Sequence, residues 1–201
     1  KKFSKLLKKS VQKNIKIRND FINIKNSDII IVSINFEISN NIKKYKPLKD
    51  LVVNIAKNIK KNALILFETT VPPGTSEKVL IPQIIKILKK RKLKISDINY
   101  AFSFERVMPG KNYLNSITSN FRCYSGFNES SKIKCKKFLS SFINTKKFPL
   151  TELNSITECE TAKILENSYR AINIAFIDEW TKYADRLKIN LFDVINSIKK
   201  R

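Results

Sequence analysis

Histidine and glycine are the residues in which this sequence is poorest. Its 201 residues include no histidine, three glycines and three cysteines, Cys123, Cys135 and Cys159. These cysteines form no recognisable metal-binding pattern, so we expect no metal site. Three glycines are too few for a Gly-rich phosphate loop. An odd, sparse set of cysteines favours reduced thiols, and therefore a cytoplasmic location.

Long hydrophobic runs and acidic residues are also scarce. No apolar run reaches the ~18 residues of a membrane-spanning helix, and the basic start, Lys1-Lys2-Phe3, precedes no signal-like region, so we expect no membrane partner. Lys and Arg number 40 against 17 Asp and Glu, a net charge of +23. This charge allows a polyanion such as nucleic acid. Because lysine recurs everywhere rather than in one recognisable module, we do not expect a nucleic-acid partner.

Apolar runs that suit buried strands alternate with segments of helical spacing. The predicted strands are Ile29–Ile34, Ala63–Phe67, Ile98–Ser103 and Arg122–Gly126, with short strands at Ile15–Ile17 and Lys146–Leu150. The predicted helices are Phe3–Lys13, Leu48–Ile59, Glu129–Phe142 and one capped by Thr75 or Ser76 that runs to about Lys90. This alternation is typical of βαβ units and predicts an α/β fold with a parallel sheet.

After about residue 150 the pattern changes to helix alone. We predict one long helix from Thr157 to Leu187, because no proline or glycine interrupts it and Thr157 with Glu160 reads as a capping box. We therefore place a domain boundary between residues 1–150 and 151–201.

The long helix carries Lys163, Asn167 and Arg170 on one narrow face. At 3.6 residues per turn, Asn167 lies about 40° round from Lys163 and Arg170 about 20° the other way. Three such side chains can converge on one ligand. The alternative is an ordinary solvated face in a lysine-rich chain. Apolar residues that suit packing lie away from this face: Ile164, Leu165, Tyr169, Ile172 and Phe176.

Two loops follow predicted strands, at the sheet edge where open parallel sheets bind ligands. Residues 68–74 offer the Glu68 carboxylate and the Thr69 and Thr70 hydroxyls before a helix start, where the helix dipole favours anions. Their alternative is an ordinary capped turn.

In the second loop, Glu105 and Arg106 form a pair that can hold a substrate and manage protons. The alternative for this pair is a surface ion pair, which contributes little.

Three motifs resemble those of the UDP-glucose/GDP-mannose dehydrogenase family. Residues 68–75, ETTVPPGT, resemble the family's E-S-T-x-x-P-G-T segment. Residues 103–110, SFERVMPG, resemble its S-P-E-R-x-x-P-G loop, and residues 162–170, AKILENSYR, resemble its K-x-x-x-N-x-x-R helix. The motifs occur in the family's order, and the resemblance covers essentially the whole chain, most clearly from Asp28 onwards.

The resemblance implies a Rossmann-like NAD-binding domain followed by a central helical domain that forms a homodimer through the 157–187 helix. It also implies an enzyme that oxidises the C6 alcohol of a nucleotide sugar to a carboxylate, for surface polysaccharide precursors. Such enzymes use two NAD per substrate and pass through an aldehyde and a cysteine thioester. The motif wording leans towards a UDP-sugar, either UDP-glucose or a UDP-N-acetylhexosamine.

The resemblance also implies residue roles. Thr70 would lie near the nicotinamide and position water, and Glu105 would assist thioester hydrolysis. Lys163 would stabilise an oxyanion or transfer a proton, and Asn167 would orient the reacting oxygen. The implied cofactor-binding set is Glu68, Thr69 and Thr70. The implied substrate-binding set is Arg106, Val107, Lys163, Asn167 and Arg170.

The sequence departs from the family's pattern in several places. The G-x-G-x-x-G fingerprint is absent, and the chain ends before the family's cysteine loop. Residues 33–36, SINF, replace the usual V-P-T-P, and Phe104 replaces a common proline. We interpret Cys159 as structural, because free cysteine usually packs as a small apolar residue. We therefore expect an internal fragment that alone neither binds NAD tightly nor turns over.

Two other readings stay open from the sequence. The β-hydroxyacid dehydrogenases share a comparable K-x-x-x-N on a long helix, although the loops with Glu68 and Glu105 count against that group. A basic nucleic-acid-binding protein would explain the charge but none of the three motifs.

Overall fold

The computed structural model describes residues 15–36, 38–39, 42–43, 45–107, 110 and 112–199. The helix predicted for Phe3–Lys13 lies outside these residues. Among the described residues, no helix is both long enough and apolar enough to span a membrane.

Within the described chain, five strands form one mixed sheet. Its strands are β1 (Ile29–Val32), β4 (Leu64–Phe67), β5 (Asn99–Phe102), β6 (Cys123–Gly126) and β7 (Thr151–Glu152), in the order β1-β4-β5-β6-β7. A separate antiparallel pair consists of β2 (Ile38–Ser39) and β3 (Ile42–Lys43). Every residue of β4 and β5 is buried, because these strands lie in the interior of the sheet and both faces are covered.

Helices cover the two faces of the sheet. They are α1 (Lys46–Asn58), α2 (Ile81–Lys90), α3 (Tyr113–Thr118), α4 (Glu129–Ser140), α5 (Ile156–Leu187) and α6 (Leu191–Ile198). A π-helical turn, Ser76–Leu80, leads into α2, and 3-10 turns occupy Ile22–Asn26 and Ile95–Asp97. The α1 and α2 helices pack on one face against Ile65 and Phe67, whereas α4 packs on the other against Leu64 and Leu66.

The parallel pairing predicted from the sequence is confirmed for β1–β4, β4–β5 and β6–β7, and is wrong for β5–β6. Strand β6 runs antiparallel to β5, and β7 runs parallel to β6. An apolar run indicates that a strand is buried on both faces but does not indicate the direction of the strand. Burial was therefore predictable from the sequence, and strand direction was not.

Two short strand predictions are also wrong. Residues 15–17 lie outside the strands of the described chain, and Ile17 is 86% exposed. The edge strand is Thr151–Glu152 rather than Lys146–Leu150. Phe148 and Leu150 instead pack against the α4 cluster, and pairing begins where the Thr151 N–H donates to the Arg122 carbonyl.

The long helix was predicted almost to the residue, since it runs from Ile156 to Leu187. Its cap was predicted wrongly. The N-cap is Ser155, whose hydroxyl accepts from the Glu158 N–H at 3.1 Å, so Thr157 and Glu160 do not form the capping box. Only the start of the helix packs against the sheet; most side chains after residue 164 are exposed.

Candidate functional site

A cleft of about 630 Å³ lies at the edge where β1, β4 and β5 end. Its size falls within the ~300–1,000 Å³ typical of ligand pockets. It is lined by Ile31, Ser33, Glu68, Glu105, Val107, Tyr113, Ile117, Arg122, Phe138 and Phe142. The two predicted loops therefore border one cleft, each contributing its glutamate.

Glu68 and Arg122 form a buried ion pair in this cleft. Arg122 Nη1 lies 2.9 Å from Glu68 Oε1, and the two side chains are 5% and 13% exposed, respectively. Burial raises the pKa of Glu68 above its ordinary value despite the opposing charge of Arg122, and the nearby Glu105 adds to the rise.

Sequence reasoning missed Arg122. The available signal was an arginine at the start of a strand predicted to be buried, because a buried arginine needs a partner.

The Glu105–Arg106 pair proposed from the sequence does not form as an ion pair. The Glu105 carboxylate accepts from the Val107 N–H in its own loop. Arg106 instead pairs with Glu166 on α5, with 3.0 Å between Arg106 Nε and Glu166 Oε2, and donates to the Phe121 carbonyl at 3.1 Å. The loop after β5 is therefore fastened to the long helix through the arginine.

Lys163 meets the same loop. Its ammonium donates to the Glu105 carbonyl at 3.1 Å and lies 5.2 Å from the centroid of the Phe104 ring. The Arg106 guanidinium lies over that ring too, at 5.5 Å. Phe104, which departs from the family's proline, is buried and attracts both cations through its π face.

The Thr69 side chain holds the loop after β4 to a neighbouring segment. The Thr69 hydroxyl accepts from the Ile34 N–H at 3.1 Å, which ties the loop to the segment after β1. Thr70 beside it is half-buried. Gly74 has a φ of +83°, a left-handed conformation that favours glycine at this turn.

Glu160 of α5 caps the helical segment that follows this turn. Its carboxylate accepts from the Gly74 N–H at 2.6 Å and the Ser76 N–H at 2.8 Å. The capping predicted for Thr75 or Ser76 is therefore wrong, and the Thr75 hydroxyl donates to the Pro72 carbonyl instead. Burial raises the pKa of Glu160, although these hydrogen bonds favour the charged form.

Two further hydrogen bonds hold the helical segment that begins at Ser76. The Tyr100 hydroxyl on β5 donates to the Ser76 hydroxyl at 2.9 Å, and burial raises the pKa of Tyr100 well above its usual range. The Thr157 hydroxyl on α5 donates to Glu77 at 2.7 Å. The start of α5 is thereby fastened to the helical segment after the loop.

Asn167 and Arg170 lie further along α5, where the helix extends beyond the sheet. Both are exposed, and Arg170 lies 3.4 Å from Glu166. Arg170 also lines a second cavity of about 650 Å³, together with Glu166, Tyr169, Asn173, Ile174 and Ile177. The structure thus brings Lys163 to the backbone of Glu105, a residue that lines the first cleft, and leaves Asn167 and Arg170 exposed further along α5.

No group of three or more cysteine, aspartate and glutamate side chains that could hold a metal ion occurs within the part of the chain that the structure describes.

Comparison with known proteins relates this chain to one family. The NAD binding domain of the UDP-glucose/GDP-mannose dehydrogenase family matches residues 1–140, and that family's central domain matches residues 157–201. The UDP-N-acetyl-D-mannosamine dehydrogenase of Methanococcus aeolicus is 35% identical over 149 residues, covering 74% of this chain and 31% of the relative. That of Pyrococcus horikoshii is 26% identical over 181 residues, covering 90% and 41%.

Solved structures agree in fold. The P. horikoshii UDP-D-ManNAc dehydrogenase superposes with a TM-score of 0.79 at 25% identity, covering 92% of this chain and 43% of that one. A GDP-mannose dehydrogenase from Pseudomonas aeruginosa superposes at 0.82 with 15% identity, covering 98% and 45%, and establishes the Rossmann-like fold alone. The chain spans about a third to two fifths of the length of the two relatives compared above.

Proposed function

The chain belongs to the UDP-glucose/GDP-mannose dehydrogenase family, and from this premise we propose that it is part of an NAD-dependent nucleotide-sugar 6-dehydrogenase. Residues 1–150 supply a partial NAD-binding domain, and residues 151–201 begin the central helical domain. The reaction is oxidation of the C6 alcohol of a UDP-sugar to the uronic acid. The observation that carries the proposal is the Lys163 ammonium held at the Glu105 carbonyl, beside a ligand-sized cleft.

The residues around the cleft fit a nicotinamide cofactor. The cleft opens at the carboxyl ends of parallel strands, where dinucleotides bind in Rossmann-like folds. Glu68 lines the cleft, Thr69 and Thr70 follow it in the same loop, and Arg122 balances the charge of Glu68 within the cleft. Bound NAD would supply the hydride acceptor for oxidation of the sugar carbon. The chain's own residues hold and orient the two reactants.

Lys163 is positioned to stabilise negative charge on a reacting oxygen. An ammonium has three hydrogens, and the Glu105 carbonyl accepts only one of them. A half-buried cation held beside a residue that lines the cleft can stabilise negative charge that develops in the transition state. In the proposed site Glu105 assists hydrolysis of the cysteine thioester, Thr70 positions the water, and Asn167 orients the reacting oxygen.

The substrate proposed is a UDP-N-acetylhexosamine rather than UDP-glucose. Relatives with which this chain shares 26–35% identity are named UDP-N-acetyl-D-mannosamine dehydrogenases. The substrate contacts proposed are the backbone at Arg106 and Val107 and the side chains of Lys163, Asn167 and Arg170. Arg106 suits this role because its guanidinium is already fixed to Glu166, so the backbone beside it is held in place.

A homodimer through the 157–187 helix is part of the proposal. Apolar side chains with large exposed fractions lie along α5, among them Tyr169 at 70%, Ile172 at 68% and Phe176 at 60%. A patch of this kind is typical of an interaction surface. We also propose a cytoplasmic location and a role in surface polysaccharide precursor synthesis.

Ligand binding by this chain tests the proposal against a polyanion-binding function. We expect UDP-N-acetylmannosamine to raise the melting temperature of the chain, with a smaller effect of UDP-glucose, and Lys163→Met to reduce the shift. Lys182→Met, which removes an exposed lysine of the same helix, is the matched control. A ligand at about 100 times its Kd stabilises by ~2.7 kcal/mol, which is measurable. RNA binding that weakens steeply with salt, without any effect of the UDP-sugars, would contradict the proposal.

A further inference from the structure

Two cysteines far apart in the sequence meet between the sheet and the long helix. Cys123 begins β6 and Cys159 lies in the first turn of α5, and their Sγ atoms are 3.5 Å apart. Both are free thiols. The two sulfurs are therefore in van der Waals contact, and a disulfide bond would bring them to about 2.0 Å. The third cysteine, Cys135, lies on α4 in the cluster on the opposite face of the sheet.

We propose that Cys123 and Cys159 form a reversible modification site, at which a hydroperoxide oxidises the two thiols to a disulfide that joins the sheet to α5. This inference does not depend on the proposed dehydrogenase function, because it rests on the thiol pair alone. Neither cysteine belongs to the three motifs that carry the family resemblance.

The two thiols differ in ways that assign them different roles. Cys123 is partly exposed, whereas Cys159 is fully buried. The hydrogen bond with Cys159 and the Arg106 guanidinium hold the pKa of Cys123 below its ordinary value, against burial and the Glu166 carboxylate. Contact with Cys123 and burial raise the pKa of Cys159. Cys123 is therefore the attacking thiol and Cys159 the resolving one.

The step balances with a hydroperoxide as the oxidant. The Cys123 thiolate attacks one peroxide oxygen, the O–O bond breaks, and the leaving oxygen takes a proton to become water, or an alcohol from an organic peroxide. The Cys159 sulfur then attacks the sulfur of the Cys123 sulfenic acid and the S–O bond breaks. Hydroxide leaves with the Cys159 proton as water. The two thiols lose two protons and two electrons in total, and an external thiol restores them by exchange.

The disulfide has a defined structural consequence. It closes a loop between positions 36 residues apart in sequence. It fixes the first turn of α5, one turn before Lys163, to the strand that begins beside Arg122. Because a crosslink of this length restricts the unfolded chain, the oxidised protein is expected to melt at a higher temperature, by about 5 °C or more.

Controlled oxidation of the chain tests the proposal. The reduced protein is treated with a small excess of hydrogen peroxide, remaining thiols are alkylated, and intact and peptide masses are measured. We expect loss of two hydrogens, one alkylated cysteine, a crosslinked peptide pair containing Cys123 and Cys159, the higher melting temperature, and full reversal by dithiothreitol. Cys135→Ser is the matched control, and its crosslink should form at the wild-type rate.

Two further variants separate the roles and guard against misfolding. In Cys159→Ser, Cys123 should stop at the sulfenic acid and be trapped by dimedone, whereas in Cys123→Ser the peroxide should leave Cys159 unmodified. Melting curves of the reduced variants verify that each one folds. Irreversible over-oxidation of wild-type Cys123 without a crosslink, equal reaction of all three cysteines, or no reaction at Cys123 would each overturn the proposal.

Discussion

The carboxylate of Glu160, on the long helix α5, accepts a 2.6 Å hydrogen bond from the Gly74 N–H, 86 residues earlier in the chain. The same carboxylate accepts from Ser76 at the start of the next helical segment. An anion at a helix N-terminus satisfies N–H groups that the first turn leaves without partners, and it interacts favourably with the helix dipole. Glu160 therefore fixes the turn after Thr70 to the helix that carries Lys163.

The first prediction concerns this carboxylate. Glu160→Gln leaves one acceptor oxygen where two N–H groups need one each, and places an NH2 group against a donor. Because a buried N–H then lacks a partner, we expect the free energy of unfolding to fall by about 1–3 kcal/mol. Urea unfolding monitored by circular dichroism measures this change.

The matched control for Glu160 is Glu158→Gln, two residues earlier on α5. Glu158 is exposed and accepts from the Asn154 N–H at 3.0 Å, a role that glutamine also fills in capping boxes. We expect its effect to be well below 1 kcal/mol by the same criterion. Equal losses in the two variants would contradict the importance assigned to Glu160.

The second prediction concerns pH and Glu68. Burial raises the pKa of Glu68 above its unfolded value of about 4.3, so between these two pKa values the folded state binds more protons than the unfolded state. Stability due to this group is therefore present at low pH and lost as the pH rises through the folded pKa. We therefore expect wild type to lose stability relative to Glu68→Gln as the pH rises from about pH 4 to pH 7.

Chemical unfolding of both proteins at several pH values measures that shift. Glu105→Gln is the control for the neighbouring carboxylate, which interacts with Glu68. A pH-independent difference between wild type and Glu68→Gln would show that Glu68 ionises at its ordinary value.

The third prediction concerns the Phe104 ring and its cation. If Lys163 is attracted by the π face at 5.2 Å, Phe104→Leu and Lys163→Met should not be additive. We expect a coupling energy of about 0.5–1 kcal/mol, because the lysine is half-buried. A double-mutant cycle of unfolding free energies measures it, with Lys182→Met replacing Lys163→Met in the control cycle. Additivity in the first cycle would contradict the interaction.

The fourth prediction concerns self-association through α5. Ile172→Asp places a charge in the exposed apolar patch, so we expect the dissociation constant of a dimer to rise at least tenfold. Sedimentation equilibrium of the purified chain measures it. Asn173→Asp adds the same charge at the next, polar position. A wild-type chain that stays monomeric near 100 µM, or two variants with equal effects, would count against the proposed interface.

Much of the fold was predictable because the spacing of apolar residues along the chain indicates helices and strands locally. The run Ala63–Phe67 is continuously apolar since both faces of β4 are covered, and β4 was predicted to within one residue. The long helix was predictable because no proline or glycine interrupts it. The spacing of Lys163, Asn167 and Arg170 on that helix, and the place of both loops at strand ends, follow from the same local rules.

The partners of the polar groups were decided only by tertiary structure. The sequence by itself determined that Glu160 and Cys159 lie near the start of the long helix and that Arg106 lies in the loop after β5. Packing decided that Glu160 caps a distant turn, that Arg106 pairs with Glu166, and that Cys159 meets Cys123. The pattern of apolar residues indicates which positions are buried. Hydrogen bonds and ion pairs depend in addition on which segments meet in space, and on the direction in which strands such as β6 run.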